Sequence, residues 1–92
     1  MKIRNAIETN LTEALRPTRL EIVDESHRHA GHAGAHPEGE SHFRLTVVAQ
    51  AFEGKSRVDR QRLVYGALRD LMVSRIHALA LTTLTPAEDK AP

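Results

Sequence analysis

Hydrophobic and polar positions along the chain follow two spacings, and the first of them predicts a helix at the start. Over residues 2–15, four aliphatic side chains recur at every fourth position. They are Ile3, Ile7, Leu11 and Leu15. This spacing is typical of one face of an amphipathic α-helix. Pro17 disfavours the helical conformation for the residue before it, so we expect the helix to end there.

Alternation of apolar and polar residues predicts two strands after this helix. Residues 20–25 place Leu20 and Ile22 on one face of an extended segment. In residues 43–50, four apolar side chains alternate with mostly polar ones. They are Phe43, Leu45, Val47 and Ala49. Val48 interrupts the polar face of this second strand, which is typical of a central strand.

A turn and a capping motif predict the start of a second helical region. Residues 53–55 form the turn, and Ser56 with Asp59 fits a capping box, in which side chains satisfy free amides at a helix start. An apolar stripe then continues to about Ser74. Leu63 lies off this stripe, so we expect the first turns to be offset from the remainder.

The last predicted element is a third strand over residues 76–84, which are rich in apolar and β-branched side chains. Thr85 and Pro86 are expected to stop it. We expect residues 87–92 to be a disordered tail, which leaves one domain over residues 1–86.

A long polar loop connects the first two strands. Residues 25–43 contain five of the six histidines of the chain. Connections of this length inside a compact domain are uncommon and are usually functional or disordered. We therefore expect the chemistry of the protein in this loop.

The order of elements predicts an α+β domain with a three-stranded mixed sheet and the helices on one face. The first two strands are expected to be antiparallel, whereas more than twenty mostly helical residues precede the third strand, as a parallel pair requires. Parallel pairing would place His77 near His42, at the edge where the loop leaves the sheet. An antiparallel third strand would break this inference.

Composition limits the chemistry. The 92 residues include no cysteine, so the chain has no disulfide and no thiolate ligand of its own. Thirteen Lys and Arg against twelve Asp and Glu give a net charge of +1, which does not by itself indicate a nucleic-acid partner. The amphipathic start indicates neither a signal peptide nor a membrane span, and a cytoplasmic location is the expected default.

Six segments in this order resemble the BolA family. They read LEIVDES at 20–26, HA at 29–30, ESHF at 40–43, FEGKS at 52–56, RQRLVY at 60–65 and IHALAL at 76–81. The resemblance covers nearly the whole chain and implies a fold akin to class II KH domains.

The resemblance implies two lines of function. The first is an adaptor that pairs with a monothiol glutaredoxin and shares a [2Fe-2S] cluster in iron-sulfur trafficking or iron sensing, with glutathione bound to the partner. No cofactor would be held by this chain alone. The alternative is a DNA-binding regulator of the stress response that affects cell morphology and envelope genes. Neither reading is an enzyme, and the sequence has no nucleophile motif, carboxylate pair or phosphate-binding loop.

Two histidines correspond to expected cluster ligands in the family. His77 matches its C-terminal histidine, and His29 matches a loop position that holds histidine or cysteine. Extra residues over 31–36 make His32 the alternative second ligand. Gln61 stands where the family usually has histidine. Two imidazoles on one iron are a known alternative to two thiolates.

Simpler interpretations of these histidines remain open. A histidine such as His77 is also favoured near a helix C-terminus, and loop histidines are often only solvated or bind zinc or nickel opportunistically. For His27, His32 and His36 the simpler interpretation is that they are polar residues of the loop or an opportunistic site for zinc or nickel. For His42, at a strand start, we expect a hydrogen-bonding role that braces the loop.

A basic cluster surrounds the start of the second helix. It consists of Lys55, Arg57, Arg60 and Arg62. Such a cluster can meet phosphates, although a solvated face is the simpler interpretation. A KH domain holds nucleic acid with a Gly-x-x-Gly loop, and Gly54 is not followed by the second glycine of this motif. The chain has only two Phe and one Tyr, which offer few aromatic rings on which nucleic-acid bases can stack. Direct nucleic-acid binding is therefore expected to be weak and salt-dependent.

Overall fold

The computed structural model describes residues 3–25 and 42–91 and contains the predicted order of elements. The elements are α1 Ile3–Leu15, β1 Arg19–Asp24, β2 His42–Val48, a 3₁₀ turn Gln50–Phe52, α2 Arg57–Ala67, α3 Arg69–Ser74, β3 Ala78–Leu84 and α4 Pro86–Lys90. The predicted α+β class with a three-stranded mixed sheet is confirmed. In the described ranges, no helix has the length and apolar character needed to cross a membrane.

The sheet has the order β1-β2-β3, with β2 in the centre. Strands β1 and β2 are antiparallel, so that Asp24 lies opposite Phe43 where the polar loop leaves the sheet. Strands β2 and β3 are parallel, and their register begins with His42 opposite Ala78. Both predicted pairings are confirmed. The beginnings of β2 and β3 and the end of β1 therefore share one rim of the sheet.

Helices α1 and α2 pack on one face of the sheet and form the core with it. On this face β2 presents Phe43, Leu45 and Val47, none of which is more than 2% exposed. The remaining buried members of the cluster come from α1, α2 and the connections. They are Ile3, Ile7, Leu11, Leu15, Ala49, Phe52, Val64, Leu68 and Ile76. The periodicity of the first helix thus reflects burial of its whole apolar stripe.

The second helical region begins as predicted and is divided in two. The Ser56 hydroxyl accepts a hydrogen bond from the Asp59 amide at 3.1 Å, which confirms the cap. At Leu68 the backbone leaves the helical conformation, with φ −106° and ψ 12°. Leu68 is fully buried, so its side chain stays in the core at the break between α2 and α3.

The C-terminal residues form a helix, so the prediction of a disordered tail was wrong. The Thr85 hydroxyl accepts from the Glu88 amide at 3.2 Å and the Glu88 carboxylate accepts from the Thr85 amide at 2.8 Å, which is a full capping box. Two ion pairs then hold α4 on the domain. Arg19 donates to Asp89 at 2.6 Å and Arg60 donates to Glu88 at 2.7 Å. Local capping and long-range charge pairing together order this segment.

We predict that two valines on neighbouring helices differ sharply in their effect on stability. Val64 in α2 is fully buried, whereas Val73 in α3 is 84% exposed. Val64→Ala should lower the free energy of unfolding by about 2 kcal/mol because two buried methyl groups are removed. Val73→Ala, the matched control, should stay within about 0.5 kcal/mol of wild type. Urea denaturation measures both, and equal losses would contradict the assigned core.

We also predict that α4 makes stability depend on pH in the acidic range. The hydrogen bond from Arg60 lowers the pKa of Glu88 below its ordinary value of 4.5, and the bond from Arg19 lowers the pKa of Asp89 below 3.8. Because both carboxyl groups ionise more readily in the folded chain, they stabilise it at pH values above their unfolded pKa values. This contribution is lost as the pH falls through the lower, folded values.

The test compares wild type with the doubly substituted chain Glu88→Gln, Asp89→Asn, which keeps the side-chain shapes but does not titrate. Urea denaturation at pH values from 6 down to 3 should show the wild type losing its advantage over the variant as the acid range is entered. A difference between the two chains that stays constant with pH would show that these carboxylates are not stabilised by their arginines.

Candidate functional site

An imidazole pair lies at the rim where β2 and β3 begin. The ring centroids of His42 and His77 are 6.0 Å apart and their planes differ by 12°. His42 is the first residue of β2, and His77 directly precedes β3. The parallel register therefore brings together two histidines that are 35 positions apart in the chain. The sequence-based prediction that His77 lies near His42 is confirmed.

The residue before His77 explains why its ring faces solvent. Ile76 is 5% exposed, and its amide donates to the Leu71 carbonyl at 2.9 Å, so the end of α3 fixes this residue against the core. His77 follows as an exposed residue. Strand β3 starts at Ala78 rather than at Ile76 as predicted, because Ile76 is bound to α3 and not to β2. The imidazole is thus presented on a short connection anchored by its neighbours.

The rim beside this pair is shallow, and small residues form part of it. A depression of about 200 Å³ is lined by Glu25, His42, Phe43 and residues 78–80. Ala78 and Ala80 are exposed and project little from the sheet. Glu25 is held at the edge, because its amide donates to the His42 carbonyl at 2.7 Å and its carboxylate accepts from Arg44 at 3.2 Å. Among the described residues, the exposed side chains on the β3 side of this rim are therefore small.

The predicted loop ligands His29 and His32 lie outside the described residues, as do His27 and His36. The segment that carries them does leave and re-enter the fold at the rim, since its flanking residues Glu25 and His42 are hydrogen-bonded to each other. Both ends of the histidine-bearing segment therefore lie next to the strand start that His77 precedes.

The two rings of the pair are not arranged to bind one ion together. A metal lies along the nitrogen lone pair, in the plane of each imidazole that binds it, so two ligand planes must meet at the metal. Planes that differ by 12° with centroids 6.0 Å apart do not meet between the rings. Within the described ranges, no three His, Cys, Asp or Glu side chains are grouped to hold a metal. Among the described residues, His77 is thus an exposed imidazole with no set of co-ligands beside it.

The basic cluster is divided by the structure into paired and unpaired cations. The Arg60 side chain is only 14% exposed; it donates to Glu88 at 2.7 Å, to the Lys55 carbonyl at 3.0 Å and to the Thr83 carbonyl at 3.3 Å. Arg62 is paired with Asp59 at 3.4 Å. Of the four predicted residues, Lys55 and Arg57 are exposed and have no ion pair with a described residue.

Sequence reasoning missed one of these relationships. The pairing of Arg60 with Glu88 depends on α4, whose signal was available as the Thr85-Pro86-Ala87-Glu88 capping sequence. Arg60 is consequently a structural residue that joins α2, β3 and α4.

These features place the protein in the class of small α+β domains, and it carries an imidazole and a basic helix start on its surface. Comparison with known proteins agrees with this class. The profile of the family described as BolA-like protein matches residues 11–88. The chain therefore belongs to the BolA family.

Three similar proteins illustrate the match. The chain is 42% identical over 88 residues to the DNA-binding transcriptional regulator BolA of Escherichia coli, with 96% of this chain and 80% of that protein covered. It is 46% identical over 92 residues to SufE-like protein 1 of Arabidopsis thaliana, with 96% of this chain but only 24% of that protein covered. The solved BolA domain of Arabidopsis SufE1 superimposes with a TM-score of 0.81 and 45% identity, covering 91% of this chain and 92% of that one.

Proposed function

We propose that the protein is an adaptor that pairs with a monothiol glutaredoxin and shares a [2Fe-2S] cluster with it, in iron-sulfur trafficking or iron sensing. The observation that carries the proposal is the exposed His77 imidazole at a sheet rim where both ends of the histidine-bearing segment meet. Membership in the BolA family supports it.

The residues at the rim fit one half of such a cluster. Imidazole is a nitrogen ligand that iron accepts, and two imidazoles on one iron replace two thiolates in known [2Fe-2S] centres. His77 would supply one nitrogen, and His29, or alternatively His32, the other. The cluster, when bound, would supply an exchangeable iron-sulfur unit whose potential is raised by nitrogen ligation.

A partner is required because the chain has no cysteine. The ligands of the second iron must then come from outside, and a glutaredoxin thiolate with the thiolate of its bound glutathione would complete the set. The shallow rim lined by Ala78 and Ala80 supports this arrangement, since a shared cluster requires the two protein surfaces to approach closely.

We predict that His77→Ala removes the shared cluster while the domain stays folded. Anaerobic reconstitution with a monothiol glutaredoxin, glutathione, iron and sulfide should give the wild-type chain visible absorption and circular dichroism that differ from those of the glutaredoxin homodimer. The His77→Ala mixture should show the homodimer spectrum instead. Because His77 is exposed, the variant should unfold within about 0.5 kcal/mol of wild type.

The matched control is His42→Ala, which removes the neighbouring imidazole from the same rim. Since the His42 ring does not converge with that of His77 on one ion, this variant should retain a heterocomplex spectrum. His29→Ala and His32→Ala, measured in parallel, identify the second ligand. A wild-type spectrum from His77→Ala would overturn the ligand assignment.

A second candidate function is DNA binding in the control of the stress response. Two observations favour it: the similar Escherichia coli protein is named a DNA-binding transcriptional regulator, and Lys55 with Arg57 forms an exposed cationic pair at the start of α2. The amides at this helix start would reinforce attraction to phosphate.

For this candidate we predict that Lys55→Ala combined with Arg57→Ala weakens DNA binding and lowers the salt slope by about two, one for each lost phosphate contact. Fluorescence anisotropy with a labelled duplex at several salt concentrations measures both quantities. Arg69→Ala, which removes an exposed arginine on α3, is the control and should bind as wild type. Unchanged binding and slope in the double variant would exclude this site.

A further inference from the structure

We propose that the free edge of β3 and the groove beside it bind an extended acidic segment of a partner protein, which adds to the sheet as a fourth strand. This surface lies toward the end of β3, whereas His77 precedes its start. Thr82 lies five positions after His77, a span of roughly 16 Å. The inference therefore does not depend on the imidazole site.

The direction of the main-chain groups in β3 shows which of its residues turn their amides and carbonyls toward the open edge. The Leu84 carbonyl accepts from the Ala49 amide at 3.0 Å, so Leu84 faces β2. Main-chain groups alternate along a strand, and Leu81 and Thr83 therefore face the open edge. The Arg60 side chain reaches the Thr83 carbonyl from that side at 3.3 Å, which agrees with this direction.

The edge is unpaired over most of its length. In the part of the chain that the structure describes, β3 has no strand on its outer side, and the amides of Leu81 and Thr83 have no acceptor. A row of free amides and carbonyls is the template by which an extended peptide is added to a sheet. Arg60 occupies one carbonyl only, at the end nearer α4.

A groove runs beside this edge and receives the side chains of an added strand. It has a volume of about 420 Å³ and is formed by residues 81–84, Arg57, Arg60 and Glu88. Leu81 and Leu84 provide apolar surface, while the three charged residues stand along its wall. This combination suits alternating apolar and charged side chains.

The charges of the groove select an acidic segment. Arg60 and Glu88 are paired at 2.7 Å and largely neutralise each other. Arg57 is exposed, and Lys55 lies two positions earlier; neither has an ion pair with a described residue. The groove therefore carries an uncompensated positive charge, which favours Glu or Asp in the added strand.

The same features favour a peptide over a nucleic acid. None of the residues that form the groove is aromatic, so bases have no ring on which to stack. The amide and carbonyl spacing of a strand edge matches another polypeptide backbone and not a sugar-phosphate chain.

The test is an NMR titration of the ¹⁵N-labelled full chain with a blocked peptide of alternating valine and glutamate. The amides of Leu81 and Thr83 should shift and exchange more slowly with solvent, whereas those of Ala80 and Thr82, which already face β2, should change little. The corresponding peptide with lysine in place of glutamate, and a glutamate peptide N-methylated at alternate backbone positions, should bind at least about tenfold more weakly, a difference of 1.4 kcal/mol.

Two variants identify the charge that matters. Arg57→Glu should weaken the glutamate peptide about tenfold or more, and Arg69→Glu, a charge reversal on α3 outside the groove, should leave binding within about twofold. Equal binding of the glutamate and lysine peptides, no shift at Leu81 and Thr83, or tighter binding of a single-stranded oligonucleotide at the same amides would each overturn the proposal.

Discussion

The parallel pairing of β2 with β3 is the constraint on which the rest of this structure depends. Parallel strands cannot be joined by a tight turn, so the chain between them must cross over the sheet, and here it does so as α2 and α3. This crossover covers the face on which Phe43, Leu45 and Val47 are buried. The same pairing aligns the beginnings of the two strands and brings His77 beside His42. One arrangement of hydrogen bonds thus determines both the core and the imidazole pair at the rim.

Much of the fold was predictable because burial imposes a period on the sequence. The apolar residues at every fourth position of the first helix and the alternation in β2 each indicate one buried face. Val48, which is buried on the opposite face of β2, correctly indicated a central strand. The parallel third strand followed from the length of the connection alone. These features depend on local pattern and chain connectivity, both of which a single sequence contains.

The parts that were missed depend on contacts between distant positions. The capping sequence of α4 was a local signal that was overlooked. The ion pairs that hold α4 to Arg19 and Arg60 join positions 70 and 28 residues apart, and no local window contains them. For the same reason, the basic cluster could not be divided in advance into the paired Arg60 and the unpaired Arg57. The sheet edge and the neighbouring positions of His42 and His77 were predicted from the parallel pairing, whereas the stacked arrangement of the two rings required the structure. The predictions for His29 and His32 lie outside the described residues and remain predictions.

The two ends of β3 have different surroundings and therefore different chemistry: an imidazole pair beside exposed alanines at the start, and a cationic groove beside an open edge toward the end. The parallel pairing of β2 with β3 is tested most directly by a nuclear Overhauser measurement on the labelled chain in solution. This pairing predicts parallel cross-strand contacts between Phe43 and Leu79, together with proximity of the His42 and His77 side chains. Antiparallel contacts between β2 and β3, or a His77 ring in contact with the core residue Leu45, would contradict it.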